Sequence, residues 1–516
     1  MPTANNDQLI NLIHSLTKAE KRNFKLFVKR LQSNQNVMFV RLFDVLDKVT
    51  EYDESFIRAK MKGVTKSQLS NLKRHLYAQI LKSLRLIQSD KYIDIQLREQ
   101  LDHARILYEK GLYIQALRLL ERARPKADIV EMHVLHLEIV EFIKFIEERH
   151  ITRSRRVEGK METLLDEADV LERGISNIVR LSNLKIRIHG LYITMGHARD
   201  QKDHRSVEKY FKAELKKINE NTLTVIESIF LHQSYMWYYY ILLDFENCNK
   251  HAVHWVDLFD ANPELKSEDP VLYMRGLSYV LTSLFSMRRY QEYVVQLERF
   301  ELFSRQYAKN FGTTQNIIHF MYLNTARINK HMLEGSFREG LNLIPEIERL
   351  INKYHNHLDI HRIMVFNYKM AWLFFGAGEY NRCIEYLNTI INIRAAHLRE
   401  DIQCYARLLH LISHYELGHD DLLPYMVDSV TRFFGKMKDL NEVQKTILDY
   451  FRRNIATTGP RLASRQKLKK DLLRLSNKPF ERRAFLHLDM LAWIDSKISG
   501  NSLSETIKEK FKRDGR

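Results

Sequence analysis

Between residues 3 and 124 there is not one proline, and the whole chain of 516 residues carries only 8, together with 17 glycines. An average protein holds roughly 12% of the two combined; here they are 25 of 516 residues. Sheets and dinucleotide-binding loops depend on turns that these residues supply, so few such turns are available. Apolar side chains recur at spacings of three and four along nearly every segment, the period of an amphipathic helix, while strand-like alternation is missing. The chain is therefore expected to be all-α.

Hydrophobic residues at 45% and charged residues at 28% describe a globular chain with enough apolar surface for a large core. The longest apolar run, Tyr235 to Leu243, has nine residues, under half of the ~20 needed to cross a bilayer as a helix. The first residues lack the basic flank and apolar stretch of a secretory signal. A cytoplasmic location without a membrane partner is the expectation. Cys248, Cys383 and Cys404 are odd in number and far apart, which suits buried reduced thiols better than a disulfide framework or a thiolate zinc cage.

The formal net charge of +17 is unevenly spread. Residues 1–90 hold 16 basic and 8 acidic side chains, residues 452–516 hold 17 and 7, and the 361 residues between them hold 48 and 49. A neutral middle suits a scaffold, whereas basic ends are where a nucleic acid or an acidic protein would be met, or simply where terminal helices are solvated. Three regions follow: a basic helical module over 1–90, a repeat array over 91–435 and a basic helical cap over 436–516.

What organises the middle is a recurring phrase: an apolar helix, a turn with a small or polar residue two before an aromatic, then a second helix with a small or apolar residue three further on. Gly111, Tyr113 and Ala116 carry it, as do Gly335, Phe337 and Gly340, and Gly378, Tyr380 and Cys383. Weaker copies lead to Tyr293 and Ala252. With Ala252, Tyr293, Gly340 and Cys383 as markers the spacing is 41, 47 and 43 residues, and degenerate copies are expected near Met161 and Val207. Small residues let helices approach and the aromatic fills the wedge between hairpins, so each pair buries its face on its neighbours. The phrases resemble the tetratricopeptide (TPR) repeat, which implies an α-solenoid of helical hairpins, here with about 41–47 residues per unit.

The resemblance also implies a groove lined by the first helix of each pair. Carried across position by position, it names Arg105, Tyr108, Ser278, Thr282, Thr325, Asn329, Tyr368 and Trp372 as candidate contacts for a protein or peptide. Leu101, Ser278, Thr325 and Tyr368 occupy the place of the lysine with which some TPR domains hold a C-terminal carboxylate, so a chaperone-tail reader is not expected. The aromatic cluster Tyr235, Trp237, Tyr238, Tyr239 and Tyr240 must cover all sides of a helix, which favours packing over ligand contact.

From Phe56 to Leu84 the sequence FIRAKMKGVTKSQLSNLKRHLYAQILKSL gives a helix, a sharp turn and a second helix. Thr65 is a good N-cap, Gln68 completes a capping box, and Val64 with Leu69 forms a hydrophobic staple. Ala59, Gly63, Val64, Leu69 and Leu72 resemble a bacterial helix-turn-helix, with Ile57 and Met61 one residue out of phase. That implies DNA contacts from Gln68, Asn71 and Arg74 to bases and from Lys66 and Lys73 to phosphates. The alternative is a helical hairpin that caps the array. The phrase LTKAEKRNFKLFVKRL with FVRLFDVLDKV also looks like the start of uncharacterised helical-repeat proteins of Bacteroidota.

Nothing in the sequence resembles a phosphate loop, a GxGxxG turn after a strand, a GxSxG elbow or an HExxH helix. The pairs His251/His254, His357/His361 and His410/His414 have helical spacing but no third or fourth ligand, and a site needs convergent ligands. No catalytic residue, cofactor or metal is expected. The reading that follows is a non-enzymatic interaction scaffold; the alternative is a transcriptional regulator with an N-terminal DNA-binding module and a sensor or dimerisation array, a layout similar to the helix-turn-helix plus TPR sensors of Gram-positive bacteria.

Overall fold

The computed structural model describes residues 8–30, 34–49, 53–61, 63–89, 92–129, 132–150, 159–218, 223–355, 357–393, 400–436, 441–455, 462–486 and 488–513. Among them every regular element is a helix and no strand is present, as the scarcity of turn residues demands. The chain forms two compact units, residues 1–175 and 176–516.

The first unit contains α1 (Gln8–Ser15), α2 (Lys18–Arg30), α3 (Asn34–Leu46), α4 (Glu54–Lys60), α5 (Lys66–Gln88), α6 (Ile93–Glu109), α7 (Tyr113–Ile129), α8 (His133–His150) and the start of α9 (Lys160–Met195). It has two clusters of buried side chains, one around Phe24, Phe43 and Leu76 and one around Leu120, Ile143 and Leu171. The Phe24 and Phe43 rings lie 4.9 Å apart.

The second unit continues α9 and adds α10 (Gln201–Leu215), α11 (Val225–Ile241), α12 (Phe245–Ala261), α13 (Pro263–Glu268), α14 (Pro270–Met287), α15 (Tyr290–Tyr307), α16 (Thr313–Glu334), α17 (Phe337–Leu341), α18 (Ile344–Lys353), α19 (Ile360–Ala377) and α20 (Tyr380–Ile391). Next come α21 (Glu400–Glu416), α22 (Leu423–Lys436), α23 (Glu442–Ile455), α24 (Leu462–Ser476), α25 (Met490–Ser499) and α26 (Leu503–Arg513). A single cluster of buried side chains runs from Leu181 to Ile507.

A left-handed backbone residue separates the helices of successive pairs: Gly196, Leu243, Arg288, Gly335, Gly378 and Gly418, spaced by 47, 45, 47, 43 and 40 residues. At five of these turns the next N–H returns to the carbonyl five residues back: Asp244 to Tyr239, Arg289 to Leu284, Ser336 to His331, Glu379 to Phe374 and His419 to His414. Leu112 does the same to Leu107 after Gly111 in the first unit. That bond ends a helix with a Schellman motif and satisfies a carbonyl that would otherwise be orphaned. Glycine takes this conformation without a Cβ penalty, so Leu243 and Arg288 hold it against their own preference.

Measured from the turn, the small residue equivalent to Ala116 and Cys383 in the Leu243 pair is Cys248. Ala252, the marker expected from sequence, lies one turn further along the same buried stripe. Val207 is buried on the second helix of the Gly196 pair, whereas Met161 stands at the start of α9 and marks no hairpin.

Burial distinguishes the two helices of a pair. α20 buries Cys383, Tyr386, Leu387 and Ile390, a single stripe, and α22 buries Leu423, Val427, Val430 and Phe434. α19 by contrast buries Phe366, Tyr368, Met370, Ala371, Trp372, Leu373, Phe374 and Phe375, on all its sides. The reason is that α19 packs on its partner α20 and also on α16, α17, α21 and α26. Each fully buried Leu or Phe on such a helix contributes about 1.5–3 kcal/mol.

Candidate functional site

Five of the eight positions expected to line a groove converge on one cavity of the second unit. Thr282 comes from α14, Thr325 and Asn329 from α16, and Tyr368 and Trp372 from α19; together they border a space of about 300 Å³. α14 packs on α16 and α16 on α19, which brings these side chains to one place. Ser278 lies one turn before Thr282 and its carbonyl accepts the Thr282 hydroxyl at 2.7 Å. Arg105 and Tyr108 belong to the first unit and are not part of this cavity. Arg105 sits over the Phe142 ring at 5.9 Å, and Tyr108 packs on Tyr113, Phe142 and Phe145.

The cavity is deeper than an open groove. Asn329, Tyr368 and Trp372 are exposed by only 4%, 6% and 6%, so their atoms meet a ligand only from within it. Enclosure drives the Tyr368 hydroxyl well above the usual phenol range, which keeps it a neutral hydrogen-bonding group. Lys369 Nζ donates to Asn329 Oδ1 at 2.6 Å and lies 5.6 Å from the Phe285 ring. His197 meets the Tyr240 carbonyl through Nδ1 at 2.8 Å. The result is a lining of aromatic rings, hydroxyl, imidazole and amide groups, with the cations Lys369 and Arg288.

The far wall was not legible in the sequence. Phe485, Leu486, Leu488, Asp489 and Ile507, from the end of the chain, border the same cavity. Arg288, one of the two strained turn residues, donates from Nη2 to Asp489 Oδ2 at 2.5 Å. Burial opposes ionisation of Asp489, but the Arg288 guanidinium and the Ala492 N–H outweigh it and hold the carboxyl below its ordinary range. Ser504 Oγ donates to the Gly335 carbonyl at 2.7 Å, and the Tyr290 and Phe511 rings meet edge to face at 4.6 Å. These contacts join residues about 170 to 220 positions apart, a separation at which no local period carries a signal.

Of the aromatic cluster, Trp237 and Tyr238 are buried and Tyr235, Tyr239 and Tyr240 are half-buried. Tyr238 stacks on Phe211 at 4.2 Å and Tyr235 on His251 at 4.4 Å. Tyr240 alone of the five borders the cavity.

The second candidate region is α4–α5. Asp53 caps α4 and Thr65 caps α5 with the full capping box to Gln68. Val64 and Leu69 are both buried, as are Ile57 and Met61, so burial follows the shifted phase. Lys66, Gln68, Asn71 and Arg74 are exposed, and Lys73 is half-buried. Gln68 Oε1 is committed to the Thr65 N–H at 2.9 Å, and Arg74 Nη2 reaches Asn71 Oδ1 at 3.4 Å. Lys66 stands 4.0 Å from Glu54.

The three cysteines are buried, and burial pushes the Cys383 thiol up to about 12. His232 Nδ1 lies 3.0 Å from His251 Nδ1, with His254 stacked on His232, and His414 meets His419 at 2.9 Å. Among the described residues no group of three or more His, Cys, Asp or Glu side chains is arranged to hold a metal, and no helix is long and apolar enough to cross a membrane. Against known families and curated proteins the chain matches none.

Proposed function

We propose that the second unit is a TPR-like α-solenoid, with about 41–47 residues per hairpin, and that the protein is a non-enzymatic scaffold binding a protein or peptide segment on the face shared by its first helices. The observation that carries this reading is the convergence of Thr282, Thr325, Asn329, Tyr368 and Trp372 on one cavity. Residues chosen only by repeat register meet in space, which is what stacked hairpins require. Aromatic walls with a few placed polar groups are the composition of a recognition site. The test is selection of random peptides on the full chain. Enriched sequences are expected to lose binding when Thr325→Trp fills the cavity and to keep it with Arg105→Ala. No enrichment, or enrichment indifferent to Thr325→Trp, rejects the scaffold.

A regulator is the second reading, favoured by the exposure of Asn71 and Arg74 on α5. A duplex titration with wild type and Arg74→Ala tests it. A regulator loses affinity with the variant and with added salt, while equal weak binding by both proteins leaves α4–α5 as a helical cap of the first unit.

A further inference from the structure

Towards its N-terminal end the same face carries two half-buried cations. Lys185 on α9 is half-buried, with Nζ 4.8 Å from the Phe230 ring. Arg275 on α14 is half-buried and hydrogen-bonded to the Tyr322 hydroxyl. Among the described residues neither forms an ion pair. Burial lowers Arg275, but Tyr322, Tyr279 and the Asp269 charge outweigh it and hold the guanidinium above its ordinary range; Asp269 also accepts the Leu272 N–H as an N-cap. Burial and the nearby Arg275 charge hold Lys185 below the ordinary lysine range, and burial, Arg275 and Lys185 together lower His189. Lys185, half out of water beside a second cation, is costly to keep charged unless an anion joins it.

This patch is continuous with the cavity. His189 packs on Trp237 at 4.3 Å, Tyr192 on Trp237 at 5.3 Å and Trp237 on Tyr279 at 5.4 Å. Tyr192 and Tyr240 then border the cavity together with Lys369 and Arg288. At that end a cation already has an acid supplied by polypeptide: Asp489, from the chain's own C-terminal segment, on Arg288. The seated segment shows the chemistry that this face accepts, apolar side chains with a carboxylate.

We propose that the face from Lys185 and Arg275 to Lys369 binds an acidic peptide segment, whose carboxylates sit on Lys185 and Arg275 and whose backbone runs past the half-buried Tyr279 and Tyr192 rings towards the cavity. This rests on the peptide-binding reading above and names its partner's chemistry. Cations set among aromatic rings recognise carboxylates strongly because the surrounding low dielectric strengthens each charge-assisted bond.

The experiment uses the full chain and a fluorescein-labelled peptide of alternating Glu and Ala, beside its alternating Gln and Ala counterpart and a single-stranded oligothymidine. The Glu peptide is expected to bind, to weaken as salt is added, and to lose about tenfold in affinity with Lys185→Met and again with Arg275→Met. Lys110→Met in the first unit is expected to leave it unchanged. The Glu-against-Gln comparison and the salt titration need only the wild-type chain, so a variant that misfolds by circular dichroism does not decide the matter. Equal binding of the Gln peptide overturns the acidic partner while leaving a peptide groove. Failure of the Glu peptide to bind, or oligothymidine binding that is sensitive to Lys185→Met in its place, overturns the proposal.

Discussion

Two glycines near the end of α19 show how differently one residue type is used. Gly376 has ordinary helical geometry, but a Cβ there would stand 2.4 Å from the Phe337 ring. Gly378 has open space around it and a φ of +82°. Alanine at 376 must push an aromatic out of a packed wedge, and alanine at 378 only forces a left-handed backbone. Gly376→Ala is expected to destabilise by about 3 kcal/mol and Gly378→Ala by about 1 kcal/mol, both read from denaturant midpoints. Equal costs would mean that Phe337 does not fix the approach of α17 to α19. The turn glycines were legible because a small residue recurs before an aromatic. Arg288 and Leu243 were not, since nothing about arginine or leucine announces a left-handed turn.

At the scale of helices, the contact between α11 and α12 is sensitive to pH. Burial first, and neighbouring histidines second, push His232 and His251 down to about 4. In the unfolded chain such groups titrate near 6.5. Between those values the unfolded state binds more protons, so stability is complete above about pH 6.5 and falls as pH drops towards about 4. Thermal melts across that range are expected to show the loss, and His251→Gln to flatten it; a wild-type profile that is level from pH 7 to 4 would refute the half-buried neutral pair. The capping box of α5 gives a second prediction: Thr65→Ala should lower the stability of the first unit by about 1 kcal/mol, seen as faster amide exchange in α5. Helix starts of this kind, the all-α class and the paired-helix rhythm were readable from spacing because they depend on neighbours in sequence. The shift of the marker from Ala252 to Cys248 was missed because both lie on one buried stripe, one turn apart, and only the turn geometry separates them.

For the molecule as a whole, the lining of the cavity was partly legible. Of the expected positions, Thr282, Thr325, Asn329, Tyr368 and Trp372 border one cavity, since α14, α16 and α19 pack on one another in sequence. Register within a repeat could not locate Asp489 or Ile507, whose approach to α14 and α16 depends on the chain returning after more than 150 residues, nor Lys185 and Arg275, which stand out only once both are seen half-buried on packed helices. The reading of the second unit as a peptide-binding array is tested most directly by hydrogen exchange of the full chain with and without saturating Glu and Ala peptide. Protection is expected in α14, α16 and α19 and in the part of α9 around Lys185, with the amides of α15 and α20 unchanged. Protection confined to the second helices, or to α4 and α5, would place binding elsewhere and remove the groove.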